Sequence, residues 1–540
     1  TATTQATGLA GGTDKDVLIN ERDIGIVNAS AKADAVGVSV ALVGSSNGVD
    51  VSAALADGSG VATAVTRGLD GGEGSDELWN RGGIEIKDTH ADAAIVSASV
   101  GMSGTLSGGV AAGAALVRSS ATAEAQAIGV AGGAGDDRIV NQGERGIVID
   151  GVVARTTAVG VGVQLGVVSN GVAIGAALAD TSTTARTSAT GLQGGSGDDV
   201  LINAGPLTLQ NLQAEARAVS VTVSGNAALN AGVAAGLALV DGKGTAQLQA
   251  TGIDGGAGRD TLLNEGELKI SGADATAHAT GVSVTASLSL AGVAAGAAIA
   301  DTSAEARTVV KGLDGGTGND LLVNRGGVDV AGRATADAVG VSVSLNVALG
   351  AASGASVADA GSTARADVFG IEAGEGDDTT FNEGSVKADA SAVAKGTSVS
   401  ITVPNVTGGY AAARLATTAT AQAVGLSDAD SAATGPCGHG KQAATGAGES
   451  PCARSDLGSQ SAQAAGRDGG DGHGGEGATI TNRGTVLATS SANATGTGVS
   501  GTLFGVSLGD VGNTASADAA GVRTGVRDDA ILNEGSLSAG

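Results

Sequence analysis

The residues in this 540-residue chain whose types and spacing could do chemistry are aspartates set among clustered glycines. "GGSGDDVLIN" at 194–203, "GGAGRDTLLN" at 255–264 and "GGTGNDLLVN" at 315–324 share three glycines, an Asp, an apolar run and an Asn. One such loop could cradle a phosphate, but phosphate loops open into a helix N-terminus. Here the loop opens into strand-like sequence and sets carboxylates where the phosphate would lie. The chemistry that fits is capture of a hard, oxygen-binding cation such as Ca2+. The candidate ligands are Asp16, Asp76, Asp137, Asp199, Asp260, Asp320, Asp378 and Asp529, with Asp136, Asp198 and Asp377 adding to the negative field. Stacked about 5 Å apart, two such charges repel by about 3 kcal/mol at an effective dielectric of about 20, and a bound cation reverses that sign. The plainer alternative is that these side chains splay into water and only polarise the turn.

Little else suggests catalysis, and the chain reads as a non-enzyme. No pair among His90, His278, His439 and His473 has metal-ligand spacing within a repeat, and no nucleophile elbow or Cys/His arrangement is present. Cys437 and Cys452 lie in a Gly/Ser-rich insertion at 427–473. They could close a disulfide in an extracellular setting or remain free thiols, and with His439 and His473 they match no standard zinc finger. A net charge of −26 without a basic stripe excludes a nucleic-acid partner. No apolar run reaches the 18 or so residues of a membrane-spanning helix. The sequence has no initiator Met or leader-like segment, so it reads as a mature chain or a piece of a longer one.

The elements that must position the loops are repeats. An opening glycine recurs at Gly8, Gly68, Gly129, Gly191, Gly252, Gly312 and Gly370, at intervals of 60, 61, 62, 61, 60 and 58. Twelve residues after each stand Asn20, Asn80, Asn141, Asn203, Asn264, Asn324 and Asn382. An eighth copy is interrupted by the insertion before Asn482, and a ninth closes at Asn533. Between loops run long alternating segments such as "ADATAHATGVSVTASLSL" at 273–290 and a return such as "GVAAGAAIADTSAEARTVV" at 292–310. Their period of two, frequent Thr, Val and Ser, and regular Gly argue for strand over helix despite the alanine content. Gly contributes 94 residues and aromatics only about 1%, which suits thin layers and closely approaching backbones. Recurrent G-x-x-x-G at Gly109/Gly113, Gly171/Gly175, Gly232/Gly236 and Gly292/Gly296 fits two sheets closing tightly, without a membrane.

Fixed-period strands that cannot bury their own faces predict an all-β solenoid of eight to nine stacked repeats of about 60 residues. One large flattened coil per repeat is preferred to three short ones, because no 20-residue self-similarity appears inside a period. The expected organisation is solenoid over 1–426, the insertion over 427–473 and closing repeats over 474–540. Stacking would turn the asparagines into an amide ladder, although one Asn alone would serve equally as a turn residue.

Gly194, Gly195, Gly197, Asp199 and Leu201 fall on the positions of G-G-x-G-x-D-x-L, as do Gly71, Gly72, Gly74, Asp76 and Leu78. In these loops the chain resembles the haemolysin-type (RTX) calcium-binding repeats of secreted bacterial proteins. Phrases such as "LLNEGELKI" at 262–270 resemble large bacterial β-solenoid surface adhesins. The first resemblance implies Ca2+ held between successive coils by carbonyls and the loop Asp. It covers only nine or ten residues of each period, and the motif stands alone here where the family has it in tandem. Together these readings give a secreted or cell-surface structural protein. It would be a stalk or a self-associating filament or biofilm-matrix subunit, with further copies or repeats end to end as partners and surface polysaccharide as another. The competing reading is a calcium-folded carrier segment of a secreted toxin or carbohydrate-active protein.

Overall fold

The computed structural model describes residues 1–405, 408–428, 477–525 and 529–540. They form strands connected by tight turns and no helix. Each period makes one flattened coil. In the third coil a corner strand, Arg138–Asn141, leads into a front run, Gly146–Val168. The chain rounds a tip, returns along the back as Gly171–Ser196, and passes through the glycine loop to the next corner strand, Val200–Asn203.

Every pairing between neighbouring coils is parallel and spans one period. Ile147 lies against Leu207, Gly171 against Gly232, and Asn141 against Asn203. The nine corner strands stack in chain order as one sheet. In two coils the front run, tip and back run form one continuous strand, Leu207–Ala257 and Glu267–Thr317. Asn382 pairs with Asn482 in the same register, so the interrupted repeat leaves and rejoins its coil at one corner. From residue 429 onward the insertion, with Cys437 and Cys452, lies outside the described residues. At about 3.3 Å per residue a 23-residue front run spans about 75 Å, whereas nine corner strands about 4.8 Å apart stack to only about 40 Å. The described chain is therefore a slab, broader across its coils than along its axis.

The interior changes along that breadth. Near the loops it is filled by large aliphatics, among them Leu69, Ile84, Ile147, Ile149, Leu192 and Leu209. Farther out it narrows to alanine: Ala273, Ala275, Ala277 and Ala279 point inward while Asp274, Thr276, His278 and Thr280 point out. Then the chemistry inverts. From Gly281 onward the inward residues are Ser283, Thr285, Ser287 and Ser289, and the outward ones are Val282, Val284, Leu288 and Leu290. The strand runs on through this point without a bulge. In the tip half the two sheets are joined across the interior by side chain to backbone hydrogen bonds. Ser99 Oγ donates to Ala54 O at 2.8 Å, Ser283 Oγ to Ala238 O at 2.7 Å, and Ser398 Oγ to Ala358 O at 2.7 Å. The second glycine of each G-x-x-x-G makes this possible. A β-carbon on Gly175 would lie 2.5 Å from Asn226 Oδ1, and one on Gly296 2.4 Å from Asn346 Oδ1.

Candidate cation site at the glycine corner

Each glycine of the loop has its own reason. The second and third adopt positive φ, 118° and 128° at Gly195 and Gly197 and 100° and 134° at Gly316 and Gly318, where a side chain would strain the backbone. The first makes room: a β-carbon on Gly194 would lie 2.4 Å from the carbonyl of Gly255 in the next coil and 2.5 Å from Asp199 Oδ2. The same convergence of a next-coil carbonyl and the loop carboxylate recurs at Gly71, Gly132, Gly255 and Gly315.

The aspartates form a buried column. Asp137 N–H donates to Asp199 Oδ1 at 2.7 Å, Asp199 N–H to Asp260 Oδ1 at 2.8 Å, and Asp260 N–H to Asp320 Oδ1 at 2.7 Å. Asp16 binds Asp76, Asp76 binds Asp137, and Asp320 binds Asp378 in the same way. At the interrupted repeat Ala478 stands in the Asp position and contributes only its N–H, which reaches Asp529 Oδ1 at 3.0 Å. One carboxylate oxygen thus closes the backbone of the neighbouring coil where its strand breaks. The other, Oδ2 of Asp76, Asp137, Asp199, Asp260, Asp320 and Asp529, is buried with no hydrogen-bond partner among the described residues.

Burial dominates the electrostatics. It pushes the Asp199 carboxyl up to about 8 against the pull of the Asp137 N–H, with the charges of Asp260, Asp137 and Asp136 adding to the rise. Asp320 is pushed up to about 7, and Asp137 and Asp260 to about 6. The preceding residues form a second, exposed column, in which Asp198 N–H donates to Asp136 Oδ1 and Arg259 N–H to Asp198 Oδ1. Two turns back along the chain lies a cluster the sequence reading passed over. Lys311 Nζ is held 2.7 Å from Asp314 and 2.6 Å from Glu372. Beside it burial raises Asp254 to about 6, with the Asp314 charge adding and Lys311 opposing. Its signal was the acid two residues before the motif's second glycine, at Asp70, Asp254 and Asp314.

The asparagines lie one turn of chain away. Eight side-chain amide bonds of 2.7–2.8 Å join Asn20, Asn80, Asn141, Asn203, Asn264, Asn324, Asn382, Asn482 and Asn533, each Nδ2 donating to the next Oδ1. Their backbone carbonyls accept twice as well, Asn20 O taking Arg81 N–H and Gly82 N–H. Ladder and turn roles are thus both occupied. Trp79, the one tryptophan, sits outward on its corner strand between the guanidiniums of Arg81 and Arg138, at 5.4 and 5.5 Å.

An unpartnered carboxyl oxygen in six coils, beside next-coil carbonyls at the loop, is donor chemistry for a hard cation. Among the described residues no three His, Cys, Asp or Glu side chains are placed to hold one metal ion, so backbone oxygens would have to supply most of any coordination shell. Compared with family models, curated proteins and solved structures, the chain matches none. Among the described residues no helix is long and apolar enough to cross a membrane.

Proposed function

We propose that the chain is a structural solenoid of a secreted or surface-displayed protein, serving as a stalk or filament module, with its loop column neutralised by calcium. The observation that supports this reading is repetition of chemistry along the axis. The loop aspartates and the asparagines recur as columns, and each column bonds coil to coil. A load along the axis is shared by all the backbone bonds of a coil at once, which suits a mechanical role. Calcium is supported by the buried, unpartnered Oδ2 atoms, which leave the column to be neutralised by protons or by cations.

The test is thermal unfolding of the purified chain in chelator and in Ca2+, with electron microscopy of both samples. Calcium should raise the melting temperature, and Asp199→Ala should reduce that rise. Fibres should show an axial spacing of about 4.8 Å by diffraction. Identical melting with and without Ca2+ removes the metal from this reading. A chain that forms no axial fibres and bears no load removes the mechanical role.

A further inference from the structure

The tip half of the slab is an exposed apolar surface on both sides. Segments 96–117, 159–179, 219–240, 281–300, 339–358 and 396–413 contain no charged residue. On the front, coil-to-coil register makes ladders such as Val38, Ala98, Val161, Val221, Val282, Val341 and Val399. On the back, Leu55, Leu116, Leu178, Leu239, Ile299 and Val357 do the same. Leu165 and Ile174 in mid-array are 37% and 47% exposed. The front carries a groove of about 840 Å3 where Gly225 and Ala227 dip between Leu165 and Leu345.

Five outward columns about 6.6 Å apart over seven coils give the front a footprint of about 1,100 Å2, and four columns give the back about 900 Å2. Each exceeds both the 300–600 Å2 or so of the largest patch on a typical monomer and the 800 Å2 or so per partner of a stable interface.

Charged rows border both faces at nearly the same depth, since Gly281 on the front lies against Thr302 on the back. The front row holds Arg217 and Lys395 with His278 among Asp34 and Asp337. The back row is mainly acidic, with Asp57, Asp180, Asp241, Asp301, Asp359 and Asp510 against Arg118 and Arg414. Back on back would set six acids against six. Front on back brings the bases of one copy to the acids of the next. A bilayer fits less well, because membrane-interface belts are rich in Trp and Tyr and this chain has one of each, with Trp79 at the loop corner.

We infer that the uncharged tip half is a lateral docking surface for a second copy of this chain, seated front on back. Because that contact is heterologous and leaves a face open at each step, it builds ribbons and not closed dimers. It does not rest on the axial, calcium-linked role proposed above.

The test is sedimentation velocity of the full chain at rising concentration, in low and high salt. The wild type should form species larger than dimers, favoured by salt, which screens the acidic halves. Leu165→Lys on the front and Ile174→Lys on the back should each leave monomers with unchanged circular dichroism. An equimolar mixture of the two should form one-to-one dimers and stop there, since each supplies the face the other lacks. Thr276→Lys, outward on the charged half, should behave as wild type. A monomeric wild type, or variants that assemble as wild type does, would overturn the inference. So would a chain that stays monomeric in solution yet floats with phosphatidylcholine vesicles, which would give the surface to a bilayer. Fibres that survive both substitutions and diffract at 4.8 Å along their axis are the end-to-end assembly and leave the lateral claim refuted.

Discussion

Without metal, the loop column should make this protein less stable as pH rises through neutrality. Asp137, Asp199, Asp260 and Asp320 have folded-state carboxyls at about 6, 8, 6 and 7, each raised above the ordinary 3.8 first by burial. At pH 7 the folded column therefore holds on the order of 1.5 protons that the unfolded chain does not. Each proton of difference is worth about 1.4 kcal/mol per pH unit, so the folded state should lose about 2 kcal/mol per unit near pH 7. The sign follows from the direction of the shifts. Raised carboxyls contribute fully below about pH 4 and the contribution is lost as pH climbs through 6 to 8. The exposed acids Asp136 and Asp198 flank the column and act in the same direction. The assay is denaturant unfolding in chelator between pH 5.5 and 8.5, with proton uptake measured on refolding. Saturating Ca2+ should flatten the slope, because a bound cation replaces those protons. Stability that is flat or rises from pH 6 to 8 in chelator would refute the argument.

Other expectations are more local. Asp199→Asn keeps an oxygen for the Asp137 N–H and removes a buried charge, so it should stabilise the metal-free protein at pH 8 and abolish its pH slope at that coil, read by the same titration. Asn203→Ala strands the amides of Asn141 and Asn264 and should cost about 2–4 kcal/mol in denaturant unfolding. Gly194→Ala drives a methyl against Asp199 Oδ2 and the Gly255 carbonyl and should cost several times as much as Gly25→Ala, which meets open space. Lys311→Met leaves Asp314 and Glu372 without their shared cation and should cost about 3–5 kcal/mol, recovered in part at low pH.

The repeat interval alone carried the fold. Glycines about 60 residues apart, each twelve residues before an Asn, leave one coil per repeat as the arrangement that keeps every column aligned, and Ile147 against Leu207 is that arrangement. Which face points inward was harder, because alternation states only that two faces differ. The answer was present at 279–282, where apolar residues move from odd to even positions, yet a strand pattern that swaps phase usually signals a bulge. Here the backbone runs straight and the chemistry of the faces exchanges instead, with Ser283 and Thr285 buried under outward Val282 and Val284. The aspartates were visible as a column, but not the bond of one oxygen to the next coil's N–H, since that needs the break in the strand at the loop. The Lys311 cluster draws Asp314 and Glu372 from adjacent coils, a contact no single repeat displays.

Each amide of the asparagine ladder points the same way, Nδ2 toward the higher-numbered coil, and the aspartate column repeats that sense with its N–H groups. The dipoles therefore add instead of cancelling, and each bond polarises the one above it. A solenoid of this kind is a vector: one terminal coil offers acceptors and the other donors. A coil inverted end for end would meet like against like, so any longer array of these repeats has a built-in direction of growth.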